Sequence, residues 1–191
     1  MTPGAQARDE VIAVDAATDA LVQRDHDPIL ATARLHWLDE AACRDAAAAL
    51  AAQRAAHDAF IELRGPLGAG KTTFVRHLLR ALGVGGRIKS PTYALMEPYE
   101  LPDLAVSHFD FYRFADPREW EDAGLRDAFA RPGLKLVEWP EKAGGLLPRP
   151  DLRIELSPLD ETRRDVTLTA FGPTGLAMLR ALAATPTEAA P

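Results

Sequence analysis

Residues 65–72 read GPLGAGKT and match the phosphate-binding pattern G-x-x-x-x-G-K-[ST]. A chain that wraps around an anion must turn its N–H groups inward, and glycine adopts the backbone angles this requires without a side-chain penalty. In this pattern Lys71 is placed to reach the outer phosphates, and the Thr72 hydroxyl is placed to hold Mg²⁺. A helix that begins at Lys71 directs its positive end toward the same phosphates. This phosphate loop, residues 65–72, therefore predicts a nucleotide-phosphate site.

Two acidic residues that follow short apolar segments are candidates to complete a metal site. Asp110 follows residues 104–109, and Glu138 follows residues 134–137. Mg²⁺ at a phosphate loop also takes an acidic group from a neighbouring strand end, so either carboxylate can serve the metal or its water. Spacing does not rank the two, because either strand can lie beside the strand that precedes the loop. Each can equally be an ordinary acid that is exposed or caps a helix.

Four features near these acids have both a functional and a structural interpretation. His108 precedes Asp110 by two residues, so both side chains point the same way along a strand. A lone histidine in this position is more often a packing or hydrogen-bonding residue than a base. Arg113 either neutralises phosphate charge or is solvated, and Trp139 either covers the site or packs. The segment Ser90-Pro91-Thr92 forms either a γ-phosphate sensor or a simple turn.

The segments on either side of the phosphate loop are those that such a site needs. Residues 60–63, FIEL, are short and apolar enough for a strand. After the loop, four apolar side chains fall on one helical face, and Gly83 is a natural stop. They are Phe74, Leu78, Leu79 and Leu82. Strand, loop and helix therefore follow in the required order.

The rest of the chain predicts an α/β fold with a mainly parallel sheet. Residues 1–28 are interpreted as a mobile tail or an appended element, and residues 29–185 as one domain. Helices are predicted over 39–58 (capped by Asp39), 116–129 and 175–184. Strands are predicted over 93–96, 104–109 and 134–137, and residues 152–156 and 165–169 are expected to pair as an antiparallel hairpin.

Composition limits the classes of function. The 191-residue chain has a formal net charge of −6, so no strong field attracts nucleic acid, and a protein that grips tRNA by itself usually shows a basic face. The single cysteine, Cys43, excludes an internal disulfide and is expected to be a small core residue in a reducing cytoplasm. No segment is long and apolar enough to span a membrane, and the start of the chain lacks a signal-peptide pattern.

Four segments taken together resemble one family. They are GPLGAGKTTF, KSPTYALMEPY, HFDFYRF and VEWPEK, and in this order and spacing they are similar to TsaE, the bacterial ATPase of tRNA threonylcarbamoyladenosine biosynthesis. The resemblance covers about residues 30–157. It implies a small P-loop NTPase fold that binds ATP or ADP with Mg²⁺. It also implies that the protein works with TsaD and TsaB, which transfer the threonylcarbamoyl group to adenosine 37 of tRNA. ATP hydrolysis would reset that complex between rounds, so the protein would meet tRNA only through its partners.

The resemblance also implies roles for individual residues. Lys71 would bind the phosphates, Thr72 and Glu138 would serve Mg²⁺ directly or through water, and Asp110 would aid placement of the metal or of water. Lys71, Asp110 and Glu138 are thus the predicted catalytic residues. The predicted nucleotide contacts are Gly65, Pro66, Leu67, Gly68, Ala69, Gly70, Lys71, Thr72, Thr73, Ser90 and Thr92. Pro66 departs from the acidic residue usual in the family, but proline is tolerated in other phosphate loops.

Two other functions fit the same loop. A small-molecule kinase needs an acceptor pocket and commonly an arginine-bearing lid, but the candidate arginines are dispersed over a capped helix with acidic neighbours. They are Arg113, Arg118, Arg126 and Arg131. A non-enzymatic scaffold would use ATP only to order a docking surface, and it would tolerate the loss of hydrolysis. Phosphate transferred to an added metabolite indicates the kinase, whereas full function of a hydrolysis-dead variant indicates the scaffold.

Overall fold

The computed structural model describes residues 28–116, 119 and 124–185. Within these ranges its strands are β1 (Ala31–Trp37), β2 (Phe60–Arg64), β3 (Met96–Leu101), β4 (Leu104–Asp110), β5 (Leu134–Glu138), β6 (Leu152–Pro158) and β7 (Arg164–Ala170). Its α-helices are α1 (Glu40–Ala51), α2 (Lys71–Ala81), α3 (Leu125–Ala130) and α4 (Pro173–Ala183). The tail predicted over residues 1–28 lies outside the described residues apart from Pro28. So do residues 117, 118 and 120–123 of the helix predicted over 116–129.

The seven strands form one sheet in the order β1-β7-β6-β2-β5-β4-β3. Its centre is parallel, since β2 pairs with β6 on one side and β5 on the other, and β5 pairs with β4. The outer strands β1, β7 and β3 join by antiparallel pairing. The predicted α/β fold with a parallel centre and a C-terminal hairpin, β6–β7, is therefore confirmed. Because β2, β5 and β4 are adjacent and parallel, their carboxyl ends meet at one edge of the sheet.

Alternate residues of the central strands enter two separate cores. Ile61 and Leu63 of β2 face the larger core, which also holds the apolar faces of α1, α2 and α4. Phe60, one residue earlier, faces a smaller aromatic core with Phe109 and Phe129. Cys43 of α1 belongs to the larger core and is 7% exposed, as expected of a small packing residue. The phosphate loop thus begins at the end of a strand, β2, that packs against a hydrophobic core on each of its two faces.

Three predicted elements differ from the structure. The helix predicted over 116–129 is interrupted at Gly124, because Gly124 has a left-handed backbone (φ 65°) and is the N-cap of α3. The strand predicted over 93–96 begins only at Met96, because Leu95 has a left-handed backbone (φ 65°) that breaks an extended segment. The helix predicted over 39–58 is capped by Asp39 as expected but ends at Ala51. A separate 3₁₀ turn, Arg54–Asp58, then leads the chain into β2.

Strand β1 was not predicted, although residues 31–37 alternate apolar and polar side chains. Its partner, β7, lies about 130 residues later in the sequence, so nothing local marks where the strand pairs. Within the part of the chain that the structure describes, no helix combines the length and apolar character needed to cross a membrane.

Candidate nucleotide-binding site

The phosphate loop connects the end of β2 to the start of α2. Three of its glycines take left-handed backbone angles, with φ of 132° at Gly65, 79° at Gly68 and 106° at Gly70. At Gly65 a Cβ atom would also overlap the backbone carbonyl oxygen of Leu156, so only glycine fits. Gly70 is the N-cap of α2, which places the free N–H groups of the first helical turn at the loop. The loop therefore has the backbone of an anion-binding cradle.

A cleft of about 220 Å³ opens above this loop. Residues 67–73 line it from one side, and Ser90, Thr92, Asp110 and Glu138 line it from the other. Gly65 and Pro66 are not on its surface. The structure thus brings together at the cleft all the predicted site residues except these two. Gly65 and Pro66 instead hold the Lys71 side chain, because their carbonyl groups accept hydrogen bonds from its Nζ.

The Lys71 side chain is only 4% exposed and is held by the loop itself. Its Nζ donates hydrogen bonds to the carbonyl oxygens of Gly65 (2.6 Å) and Pro66 (2.9 Å). The Trp139 ring covers the ammonium, with its centroid 3.9 Å from Nζ. Burial lowers the pKa of Lys71 below its ordinary 10.5, while the nearby carboxylates of Glu138, Glu141 and Asp110 partly restore it. The side chain is a concentrated positive charge at the wall of the cleft.

Glu138 connects the phosphate loop to β4 through two hydrogen bonds. Its Oε2 accepts from the Thr72 hydroxyl at 2.9 Å, and its Oε1 is 2.9 Å from Nε2 of His108. Glu138 is 2% exposed and His108 is fully buried. The order of strands explains this arrangement, because β5 lies next to β2 and places Glu138 beside the start of α2. Of the two candidate acids, Glu138 is the one in contact with Thr72.

Asp110 organises the loop that contains Ser90 and Thr92. Its Oδ2 accepts hydrogen bonds from both hydroxyls, at 2.8 Å from Thr92, and its Oδ1 accepts from the backbone N–H of Tyr112 at 2.9 Å. The backbone N–H of Asp110 in turn donates to the carbonyl of Leu95, whose left-handed conformation turns this group toward β4. Asp110 and Glu138 are register partners on β4 and β5. The two acids therefore enter the cleft side by side.

Aromatic side chains form the mouth of the cleft. Trp139 and Tyr112 contact each other with ring centroids 5.1 Å apart, and both line the cleft. The Arg113 guanidinium lies 4.1 Å from the ring centroid of Tyr93, whose side chain is 85% exposed. Arg113 does not line the cleft, so in this conformation it stacks on Tyr93 outside the cleft.

The oxygen groups of the cleft fit Mg²⁺ bound together with a nucleotide. Thr72, Glu138 and Asp110 offer hard oxygen donors, the type that Mg²⁺ prefers. No cluster of three or more His, Cys, Asp or Glu side chains suited to a metal occurs among the described residues. Mg²⁺ typically takes one or two protein oxygens and completes its shell with phosphate and water, so no larger cluster is needed. Lys71 would hold the phosphates, and Thr72 with Glu138 would hold the metal.

Arg164 is a residue of this site that sequence reasoning missed. Its Nε donates to the carbonyl of Ala69 at 2.9 Å and so braces the phosphate loop from β7. Arg164 also lines a second pocket of about 170 Å³, which shares Ala69, Gly70 and Thr73 with the cleft. The residue lies 95 positions after Ala69 and belongs to no motif, so the sequence carries no signal for it.

Comparison with known proteins gives one consistent family. The family model for "Threonylcarbamoyl adenosine biosynthesis protein TsaE" matches residues 38–166. A tRNA threonylcarbamoyladenosine biosynthesis protein TsaE from Haemophilus influenzae is 45% identical over 103 residues, which are 54% of this chain and 65% of the relative. The protein of the same name from Bacillus subtilis is 38% identical over 112 residues, 59% of this chain and 70% of the relative.

A solved structure agrees with these sequence matches. The crystal structure of Bacillus subtilis YdiB superimposes with a TM-score of 0.65 at 27% sequence identity, over 80% of this chain and 94% of that protein. The matched family segment includes the phosphate loop, both acids and Trp139.

Proposed function

Since this chain belongs to the TsaE family of threonylcarbamoyl adenosine biosynthesis proteins, we propose that it hydrolyses ATP with Mg²⁺ to reset its partners in that pathway. The partners are the TsaD and TsaB proteins, and contact with tRNA is indirect. A net charge of −6 agrees with this division of labour, because a protein that leaves tRNA to its partners needs no basic face. The proposed place of action is the cytoplasm.

The hydrogen bond from Thr72 to the buried Glu138 is the observation that carries the proposal. A phosphate loop alone binds many anions, whereas hydrolysis of a nucleotide also needs an acid beside the loop hydroxyl. Here Glu138 accepts a hydrogen bond from the Thr72 hydroxyl at 2.9 Å, and Thr72 directly follows Lys71 in the sequence. Lys71 and Thr72 begin α2, which follows β2 and the phosphate loop, and Glu138 ends β5, the strand beside β2. The pairing of β2 with β5 therefore holds the spacing of the three side chains.

The chain's own groups have distinct tasks in this reaction. Lys71 and the N–H groups at the start of α2 bind the phosphates and offset the charge that grows on the phosphate oxygens as water attacks. Glu138 orients Thr72, and Asp110 fixes the hydroxyls of Ser90 and Thr92 at the opposite wall. Bound Mg²⁺ would supply further neutralisation of phosphate charge. The Trp139 and Tyr112 rings restrict the entry of bulk water.

Turnover by the isolated chain is expected to be slow. An arginine that reaches the phosphates can accelerate hydrolysis by roughly 10³- to 10⁵-fold in nucleotide hydrolases. Among the described arginines none lines the cleft, and Arg113 stacks on Tyr93 instead. A partner that inserts a cation, or that moves Arg113, would therefore stimulate the reaction.

The decisive experiment measures phosphate release with and without the TsaD–TsaB complex. We expect the complex to raise the rate at least about tenfold, and we expect Glu138→Ala to remove the stimulated rate. The same assay with candidate metabolites tests for phosphoryl transfer to a small molecule. Rapid turnover that is equal with and without partners would contradict the proposal. Full complementation of a depleted strain by a hydrolysis-dead Glu138 variant would instead support a scaffold that only binds the nucleotide.

A further inference from the structure

His108 occupies a position that packing alone does not explain. It lies on β4 in register with Leu136 of β5, on the face that contributes Val106 to the larger core, and none of its surface is exposed. Its Nδ1 is buried and has no hydrogen-bond partner, the one such side-chain nitrogen or oxygen in the described part of the chain. An unpaired buried polar atom destabilises the fold, because it loses its hydrogen bonds to water without gaining a replacement. A leucine would fill similar space without that cost.

The other ring nitrogen identifies what the histidine provides. Nε2 lies 2.9 Å from Oε1 of Glu138. An ionised carboxylate only accepts hydrogen bonds, so Nε2 must carry the hydrogen. A hydrogen on Nε2 and a lone pair on Nδ1 satisfy both observations, since a buried Nδ1–H would have no acceptor. The buried pair therefore has one direction: His108 donates and Glu138 receives.

This bond determines how the Glu138 carboxylate is turned. The two carboxylate oxygens have separate partners, with Oε1 at His108 and Oε2 at Thr72. At 2% exposure Glu138 has little access to water, so loss of the histidine would leave Oε1 without a donor. The carboxyl group would then rotate toward another donor, and Oε2 would lose its fixed place beside Thr72.

We propose that His108 is a positioning residue that donates from Nε2 to Glu138 and so holds the carboxylate ready for Mg²⁺ beside Thr72. The inference rests on the proposed function, because it assigns His108 a role in binding the metal of the nucleotide complex. Groups that orient metal-binding residues typically change metal affinity or activity 10- to 100-fold when they are removed. His108 is expected to act in this range without touching the nucleotide.

Three substitutions separate the hydrogen bond from packing. In His108→Gln the amide nitrogen reaches about as far as Nε2, so the donor is kept. In His108→Asn the same amide ends about where Nδ1 was and cannot reach Glu138. His108→Leu keeps the volume without any donor. The Gln and Asn variants are a matched pair, since they carry the same polar group into the same buried position.

The measurement is calorimetric binding of a non-hydrolysable ATP analogue to the full chain, in Mg²⁺ and in EDTA. We expect the tightening caused by Mg²⁺ to fall about tenfold or more in His108→Asn and His108→Leu, and to stay within about threefold of the wild type in His108→Gln. Affinity in EDTA should change by less than about twofold in all three. Equal loss of the Mg²⁺ effect in the Gln and Asn variants, or no loss in the Asn variant, would overturn the inference.

A second readout needs no nucleotide. Long-range ¹H–¹⁵N spectra of the imidazole should show the hydrogen on Nε2 in the wild type and in Glu138→Gln, which retains an acceptor. Glu138→Ala should lose this fixed state. A wild-type ring that carries its hydrogen on Nδ1 would contradict the inference directly. Failure of the wild type to bind the analogue at all would instead contradict the proposed function, so the two failures are distinguishable.

Discussion

Lys71 combines two properties that oppose each other at the scale of a single side chain. Burial disfavours the charged ammonium and lowers its pKa, yet the phosphates need that charge. The structure resolves the conflict with two carbonyl acceptors and the Trp139 ring, all of which favour the ammonium. An incoming phosphate can then take over hydrogen bonds that the loop carbonyls provide in its absence.

Replacing this ammonium should weaken nucleotide binding strongly. Hydrogen bonds to charged groups contribute about 1.5–3 kcal/mol, so Lys71→Met is expected to reduce the affinity for an ATP analogue roughly tenfold to a hundredfold. As the pH rises, the affinity of the wild type should begin to decline before pH 10.5 is reached, because the lowered pKa lets the Lys71 ammonium lose its proton at a lower pH than usual. Lys71→Met should show no such decline. Calorimetry across this pH range measures both effects, and wild-type affinity without any decline below pH 10.5 would contradict the account.

Cys43 gives a second prediction at the residue scale. Burial, with a smaller effect from Glu40, raises the thiol pKa from 9.0 to about 12. At pH 9 the thiolate needed for alkylation is therefore scarce, and iodoacetamide should react at least about a hundredfold more slowly with the folded than with the urea-unfolded chain. The free energy of unfolding is unaffected by ionisation of this thiol below pH 9. It falls as the pH rises from 9 toward 12, because the thiol ionises in the unfolded chain while it stays protonated in the folded chain. Similar alkylation rates in both states would show that Cys43 is accessible.

At the scale of elements, the phosphate loop depends on how closely β2 and β6 approach. Gly65 has a left-handed backbone, and a Cβ there would collide with the Leu156 carbonyl of β6. Gly83, after α2, has a comparable φ of 99° but open space around it. Alanine substitutions at the two glycines therefore distinguish the cost of backbone strain alone from the cost of strain combined with a steric collision.

Gly65→Ala should reduce both stability and nucleotide affinity. Gly83→Ala is expected to cost only the left-handed strain of about 1–2 kcal/mol and to leave affinity unchanged. Gly65→Ala adds a collision with backbone that cannot move without disturbing the sheet, so its loss of stability should be clearly larger. Thermal unfolding and analogue binding of both variants provide the measurements. Equal losses in the two variants would show that β6 does not confine the loop.

Local patterns predicted the elements of the site better than the elements around it. The strand–loop–helix unit from Phe60 to Ala81 is marked by its own residues, because glycines and helical periodicity act over a few positions. By contrast, the sequence left Asp110 and Glu138 unranked, since their order depends on which strand lies beside β2. The same reason accounts for the missed strand β1 and the missed contact of Arg164, both of which depend on pairing across the whole chain.

At the scale of the whole molecule, an acidic chain carries the proposed site for an anion. The net charge of −6 opposes the approach of a nucleotide, and two carboxylates line the cleft. Lys71, the start of α2 and a bound cation must together outweigh this repulsion, which is why Mg²⁺ is expected to matter as much as the phosphate loop itself. The net negative charge also agrees with the proposal that the protein acts on protein partners and leaves tRNA to them.

The most direct test of the central claim is calorimetric titration of the folded 191-residue wild type with an ATP analogue, in Mg²⁺ and in EDTA. We expect one site per chain and at least about tenfold tighter binding in Mg²⁺, because the proposal assigns Thr72 and Glu138, which contact each other, as oxygen donors to the metal. A chain that is well folded by circular dichroism but binds neither ATP analogue nor ADP with Mg²⁺ would contradict the account.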